Sequence, residues 1–146
     1  MSGTTEYPLD TVVVITDMMG DVIVQGSGVL ISPDEVLTAS HVVYSATYGT
    51  ASDITVSAGF DSYVAGRIPL ASASGTYIHY FPIQDSNNLI SNEQSQEDYA
   101  VIHLSTPLTG LGTMGLESDF TGGAVNVTGY PAYLDGAIDN SQQFVT

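Results

Sequence analysis

Short apolar runs alternate with clusters of glycine, serine, aspartate, asparagine and proline along the chain, and helical periodicity is almost absent. Short strands bounded by turn-forming residues produce this pattern, so an all-β protein is predicted. One alternating run becomes continuously apolar at residues 29–31, which indicates a strand that enters a doubly covered core. The predicted strands are residues 11–16, 22–32, 36–38, 54–58, 63–69, 77–81, 99–104 and 125–129.

Several segments between these strands have turn or loop character. Met19 and Gly20 ahead of Asp21 predict a hairpin turn between the first two strands. Residues 70–75 (LASASG) contain mainly small side chains and predict a turn or a flexible connection. Residues 84–98 (QDSNNLISNEQSQED) are too polar to pack, so we expect a surface loop there.

Composition is that of a folded protein. Hydrophobic residues make up 43% of the 146 residues and charged residues only 12%, so a substantial core can be buried. This length suits one domain, or one domain plus part of another. The sequence contains no cysteine, which excludes disulfide bonds and thiolate metal sites. Any core must therefore be held by packing alone.

The charge is strongly one-sided, because sixteen acidic residues accompany a single basic one, Arg67, for a net charge of −15. Such a surface repels nucleic acid and anionic membranes, so neither is expected as a partner. It attracts cations such as calcium or basic substrate segments, although simple solubility of a secreted or salt-adapted protein also explains it. No signal peptide or transmembrane stretch is visible. Met1 is expected to follow a removed leader, with a cytoplasmic start as the alternative.

Three segments carry the candidate chemistry. They are residues 26–42 (GSGVLISPDEVLTASHV), 98–104 (DYAVIHL) and 125–131 (VNVTGYP). In this order they resemble the chymotrypsin-like (trypsin-like) serine proteases, most closely the cysteine-free bacterial glutamyl endopeptidases. The resemblance extends from about residue 7 to the C-terminus, and the segment ending L-T-A-S-H is its most specific part.

The resemblance implies roles for two residues. His41, in L-T-A-S-H, matches the family's general base, and Asp98, in D-x-A-V-I-H-L, matches the aspartate that orients the histidine. The chemistry requires both, because a serine hydroxyl is a poor nucleophile until an imidazole takes its proton, and a carboxylate must hold that imidazole in the right tautomer. Without its motif, His41 would be interpreted as a histidine of no special role and Asp98 as a solvated loop acid.

The nucleophile of the family is missing. Its serine lies in a downstream G-D-S-G-G segment, which this sequence does not contain. Ser27 lies between two glycines, but it precedes His41 and matches a structural strand position. The oxyanion-hole amides and the specificity pocket belong to the same missing segment. The chain by itself is therefore predicted to be inactive, and a fragment is favoured over an intact half that pairs with another chain or a natural pseudo-protease.

The resemblance also implies the architecture. An antiparallel six-stranded Greek-key barrel, the first barrel of the family, is expected together with an incomplete second barrel. Residues 1–110 are predicted to form the N-terminal barrel that carries His41 and Asp98. Residues 111–146 are predicted to hold a linker and the first strands of a truncated C-terminal barrel.

The remaining polar candidates have weaker support. His79 and His103 are expected to be structural, because the spacing of the three histidines matches no zinc motif. Glu97 is expected to point to solvent. No cofactor is predicted, although family members sometimes bind calcium in a first-barrel loop, and no D-x-D-x-D-G loop occurs. The acidic-loop oxygens considered for calcium are those of Asp53, Asp61, Asp85, Asn87, Asn88, Glu93, Glu97 and Asp98.

The sequence therefore favours the N-terminal part of a secreted or periplasmic serine endopeptidase. Its partners would be a polypeptide substrate and a missing C-terminal segment or swapped neighbouring chain. Two alternatives stay open: a non-catalytic pseudo-protease that serves as a binding or scaffold module, and an acidic extracellular calcium-binding β-domain. Hydrogen-bond contact between His41 and Asp98 would argue against both alternatives.

Overall fold

The structure is a computed structural model that describes residues 7–59, 70–84 and 89–130 and the backbone of Phe144–Val145. Strands dominate the described residues, and the helical parts are one 3-10 turn at Leu9–Thr11 and two four-residue α-helices. The helices are α1 (Ser40–Val43) and α2 (Asn92–Ser95). The strands are β1 (Val12–Met19), β2 (Val22–Ser32), β3 (Glu35–Thr38), β4 (Tyr44–Ser45), β5 (Gly49–Thr50), β6 (Ser52–Ala58), β7 (Ala71–Tyr80), β8 (Ala100–Leu104), β9 (Thr128–Gly129) and β10 (Phe144–Val145).

The first two strands form the predicted hairpin. They pair antiparallel from Val12 opposite Val29 to Met19 opposite Val22. Gly20 begins the turn with a φ of 58°, a left-handed conformation that glycine adopts at little cost. Strand β2 has the predicted bounds, whereas β1 runs three residues beyond its prediction because the pairing continues up to the turn.

Six strands close into an antiparallel barrel in the order β1-β2-β3-β8-β7-β6, with β6 paired back to β1. After β3 the chain crosses one end of the barrel through α1 and the small β4–β5 hairpin. It then descends beside β1 as β6 and returns through β7 to place β8 against β3. The predicted all-β fold with a six-stranded Greek-key barrel is confirmed.

Alternate residues of the strands face the interior. The fully buried apolar side chains include Val13, Ile15, Leu30, Val36, Val56 and Ile102. Burial of a valine, leucine or isoleucine side chain contributes roughly 1.5–3 kcal/mol, so this interior supplies much of the stability of a chain that has no disulfide bond.

One sequence prediction, for the start of β7, differs from the structure. Residues 70–75 were predicted as a turn or flexible connection, but Ala71–Tyr80 is the continuous strand β7. The small residues of its first half pair with Thr55–Ala58 of β6, so ladder hydrogen bonds override a weak local preference. The predicted strand at 63–69 lies outside the described residues.

The segment after β8 has no helix or strand among the described residues until β9. Of the predicted strand 125–129, only Thr128–Gly129 pairs, with Phe144–Val145. The contacts that hold the segment between β8 and β9 on the barrel include two hydrogen bonds: the N–H of Gly112 donates to Oδ2 of Asp10, and that of Met114 donates to the carbonyl of Leu30. The division of the chain at residue 110 remains a prediction.

Candidate active site

The barrel topology brings the two predicted residues to one place. Strand β3 ends at Thr38 and β8 begins at Ala100, and these two residues face each other in the antiparallel register. The chain that leaves β3 and the chain that enters β8 therefore meet at the same end of the barrel. His41 follows the first and Asp98 precedes the second, although 57 residues separate them in sequence.

The short helix α1 fixes the main chain at His41. Its neighbour Ser40 is completely buried and donates its hydroxyl to the carbonyl of Phe81 at 2.5 Å. On the other side, Val42 packs over Gly26 of β2 so closely that a Cβ added at Gly26 would lie 2.7 Å from both Val42 methyl carbons. The first glycine of the G-S-G motif is therefore required for α1 to pack against β2 in this position.

A second short helix precedes Asp98. Helix α2 lies within the segment predicted as a surface loop, and its residues are largely exposed. Ser91 and Gln94 form a reciprocal capping box at its start, and the Gln94 side chain also donates to the carbonyl of Gln84 at 2.6 Å. These contacts fold the polar segment back on itself and deliver Asp98 to the start of β8.

Asp98 contacts His41 through both carboxylate oxygens. Nδ1 of His41 lies 2.6 Å from Oδ2, and the backbone N–H of His41 donates to Oδ1 at 2.9 Å. An ionised carboxylate can only accept, so the proton of the neutral ring lies on Nδ1 and Nε2 keeps its lone pair. The Asp98 side chain is 11% exposed and that of His41 is 66% exposed. A shielded carboxylate thus orients an accessible imidazole.

No described residue forms a hydrogen bond with Nε2 of His41. Ser27 in particular has a structural role, because it links β2 to two other segments. Its carbonyl accepts from the Thr38 hydroxyl at 2.8 Å, and its Oγ accepts from the N–H of Tyr130 at 2.6 Å. The prediction that Ser27 is a structural strand residue is confirmed. Glu97 is exposed, as predicted.

The other two histidines lie together elsewhere, on the outer face of β7 and β8, with ring centroids 5.6 Å apart. Sequence reasoning treated them separately and missed this proximity, because it depends on how the two strands pair. Within the described residues, no three histidine or acidic side chains are grouped so that they could hold a metal ion. Four of the oxygen donors considered for calcium lie outside those residues, namely Asp61, Asp85, Asn87 and Asn88.

Comparison with known proteins agrees with this geometry. A family model described as the trypsin-like peptidase domain matches residues 26–145, which is most of the chain. The chain therefore belongs to the trypsin-like peptidase family, and the resemblance drawn from the sequence is confirmed. Comparison with curated proteins gives no significant match.

Solved structures show the same fold. A Glu endopeptidase in complex with MPD has a TM-score of 0.67 and 25% identity, over 90% of this chain and 58% of that one. The protease Anisep from Arthrobacter nicotinovorans has a TM-score of 0.66 and 18% identity, over 97% of this chain and 65% of that one. An inactivated protease paralogue of the scabies mite has a TM-score of 0.64 and 21% identity, over 99% of this chain and 62% of that one. The chain thus spans about three fifths of the length of these structures.

Among the described residues, no helix is long and apolar enough to cross a membrane.

Proposed function

We propose that this chain supplies the general base and the orienting acid of a serine endopeptidase. His41 is the base, Asp98 is the orienting acid, and the nucleophilic serine belongs to sequence beyond these 146 residues. The observation that carries the proposal is the two-point contact between Asp98 and His41, at 2.6 Å to the ring and 2.9 Å to the backbone.

The chemistry follows the order known for a serine–histidine–aspartate site. Nε2 of His41 takes the proton of the serine hydroxyl as that oxygen attacks the peptide carbonyl. His41 then gives this proton to the leaving amine, and an acyl-enzyme remains. Water, deprotonated by the same nitrogen, releases the acyl group. Asp98 stays ionised throughout and stabilises the imidazolium at each of these stages.

Two features support a catalytic role over a purely structural ion pair. The accessible side of the pair is the ring, which is 66% exposed, so Nε2 can be reached by a nucleophile and a substrate. The Asp98 carboxylate is the shielded member of the pair, so few water molecules compete with the His41 ring for its oxygen atoms. A non-catalytic platform or a calcium-binding β-domain would not need this contact.

The chain by itself is proposed to be inactive. Its sequence has no G-D-S-G-G segment, and in the family the backbone amides around that serine also stabilise the oxyanion. Loss of the serine alone lowers kcat by about 10⁶-fold in an enzyme that has the same triad on an unrelated fold. We expect no acyl-enzyme burst when the chain is mixed with an activated ester such as a p-nitrophenyl ester. A stoichiometric burst would contradict this expectation.

The substrate, the cellular location and the source of the serine are part of the same proposal. The substrate is a polypeptide, and the protein acts in a secreted or periplasmic setting, as family membership suggests. The catalytic step requires no cofactor, and any bound calcium would serve a structural purpose. The serine comes from a C-terminal segment or from a swapped neighbouring chain.

The test begins with the gene past the codon for Thr146, where we expect a G-D-S-G-G segment. The extended polypeptide should hydrolyse a peptide substrate, and His41→Ala should abolish that hydrolysis without a change in the far-ultraviolet circular dichroism spectrum. Undiminished hydrolysis by the His41→Ala variant would show that the role given to His41 is wrong. A gene that stops at Thr146, with no second chain that restores activity, would favour the non-catalytic platform.

A further inference from the structure

Two histidines lie side by side on the outer face of the barrel. Tyr77 of β7 faces His103 of β8 in the antiparallel register, and His79 of β7 faces Val101. His79 and His103 are therefore diagonal neighbours on the same face of the sheet, a relation close enough for long side chains to touch. The buried residues Ala100 and Ile102 alternate with Val101 and His103, so both imidazoles lie on the side away from the core.

The two rings are close to each other and to one tyrosine. Their centroids are 5.6 Å apart with an angle of 66° between the ring planes. Tyr77 packs against both rings, with its centroid 4.8 Å from that of His79 and 5.8 Å from that of His103. Neither imidazole forms a hydrogen bond with any residue in the described part of the chain. His79 is exposed and His103 is half-buried, so an ion can reach the pair from solvent.

This spacing fits one shared metal ion. Zinc binds an imidazole nitrogen at about 2.0–2.1 Å, so two imidazoles on one tetrahedral ion have ring centroids roughly 5 Å apart. The observed separation of 5.6 Å is close to this value, so the two rings can share an ion once rotation of the side chains turns one nitrogen of each ring toward it. No third histidine or acidic side chain in the described residues completes the group, so water would fill the remaining positions.

We propose that His79 and His103 form a surface site for one divalent transition-metal ion, with Zn²⁺ as the representative. Imidazole donors favour zinc, copper and nickel, whereas calcium and magnesium prefer oxygen, so the pair discriminates where carboxylates do not. The net charge of −15 raises the local concentration of any cation at the surface and adds to the affinity.

The position gives the ion a structural effect. It would join β7 to β8, the strand that begins two residues after Asp98. The chain beyond β7 carries the Phe81 carbonyl that accepts from Ser40, next to His41. An ion that binds only the folded barrel stabilises it, and the stabilisation rises with the free ion concentration. The site therefore reinforces the part of the sheet that holds the histidine–aspartate pair, and it does not depend on peptidase activity.

The test titrates zinc into the full chain by isothermal calorimetry with millimolar calcium present, so that carboxylate binding is suppressed. We expect one zinc ion per chain, and we expect His79→Gln and His103→Gln each to weaken binding by at least about 10-fold. Zinc should raise the melting temperature of the unsubstituted chain but not that of the His79→Gln variant. The control, His41→Gln, removes the one other histidine and should bind zinc as the unsubstituted chain does.

Two outcomes would overturn the proposal. If His41→Gln removes zinc binding and His79→Gln does not, the ion sits at the histidine–aspartate pair. If all three variants bind equally, carboxylates hold the ion. Should His103→Gln fail to fold, the X-ray absorption spectrum of zinc on the unsubstituted chain still decides the matter, because it must show two imidazole ligands. A spectrum with oxygen ligands alone rejects the site.

Discussion

Asp98 constrains His41 at two points, and this distinguishes it from an ordinary surface partner. Oδ1 accepts from the main chain of His41 and Oδ2 contacts the ring. The first contact fixes where the ring begins and the second fixes its rotation, so together they determine the direction of Nε2. Under the proposed function His41 is a catalytic base, which must point at the proton it takes, so this restriction of freedom would be the contribution of Asp98 that a single hydrogen bond would not provide.

Replacement of this carboxylate should therefore affect kcat far more than stability. In the extended polypeptide, we expect Asp98→Asn to lower kcat by about 10⁴-fold, because the amide favours the wrong imidazole tautomer; this is the loss known for the same substitution in the chymotrypsin-like triad. The neighbouring Glu97 is exposed and has no contact with the ring among those described, so Glu97→Gln is the matched control and should leave kcat unchanged. Steady-state hydrolysis of a peptide ester measures both.

The same experiment can contradict the assignment. If Asp98→Asn and Glu97→Gln have equal effects on kcat, Asp98 contributes only negative charge and not orientation. If Asp98→Asn raises KM and leaves kcat unchanged, the residue acts in substrate binding.

Among the elements, β2 and α1 are the pair whose packing fixes the position of His41. Val42 of α1 occupies the space that a side chain at Gly26 would need, with its methyl carbons 2.7 Å from the position of the added Cβ. We expect Gly26→Ala to displace α1 and to lower the free energy of unfolding by about 1–3 kcal/mol, the usual cost of overpacking a core. Urea unfolding of the 146-residue chain, followed by circular dichroism, measures this loss.

Gly115 provides the control for that substitution. A Cβ at Gly115 would meet no atom within 4 Å, and its φ is not in the left-handed region. Gly115→Ala should therefore leave the free energy of unfolding unchanged or slightly raised, because alanine restricts the unfolded chain. An equal loss in both variants would show that the Gly26 effect does not come from Val42.

Strand prediction from the sequence succeeded where hydrophobic alternation was strong. The bounds of β2 were correct because an apolar run lies at residues 22–24 and another at 29–31, and the turn at Gly20 is well marked. It failed at the start of β7, where alanine and serine give no alternation and pairing with β6 decides the conformation. It also missed α2, since the capping box of Ser91 and Gln94 lies in a segment whose polar composition indicates only a loop.

For the candidate site, too, the sequence identified residues but local patterns did not give their contacts. A motif identified His41 and Asp98 as residues of interest, but periodicity contains nothing that places them together. Their contact follows from the pairing of β3 with β8 and from its register at Thr38 and Ala100. The outer pair of His79 and His103 depends likewise on the register of β7 with β8. Contacts between strands are set by the whole barrel, so periodicity alone revealed neither pair, and the pairing of His41 with Asp98 was expected only from the family resemblance.

At the scale of the whole molecule, the acidic residues determine the surface charge, and one of them also affects the free energy of unfolding. Most acidic side chains in the described part of the chain are exposed, but Asp17 of β1 is only 1% exposed. Neither of its carboxylate oxygens has a hydrogen-bond partner in the part of the chain that the structure describes. Burial without a partner disfavours the charged form, and this desolvation raises the pKa of Asp17 from 3.8 to about 7.

The stability of the barrel should therefore fall as the pH rises from about 4 to 7. In this range the folded chain retains the Asp17 proton and the unfolded chain has lost it, so unfolding releases a proton and becomes more favourable as the pH increases. The stabilisation is complete below the unfolded pKa and is lost as the pH passes the folded pKa of about 7. The total change amounts to about 4 kcal/mol at most, since each pKa unit corresponds to about 1.36 kcal/mol.

Asp17→Asn separates this effect from general repulsion among acidic residues, which also grows with pH in a chain of net charge −15. The amide cannot ionise, so urea unfolding of this variant at pH 5 and pH 8 should differ much less than that of the unsubstituted chain. Asp119→Asn removes the same formal charge at an exposed position and should keep the original pH dependence. If both variants flatten the dependence equally, surface repulsion is its cause. If only Asp17→Asn does so, one buried carboxyl makes this acidic barrel more stable in acid than at neutral pH.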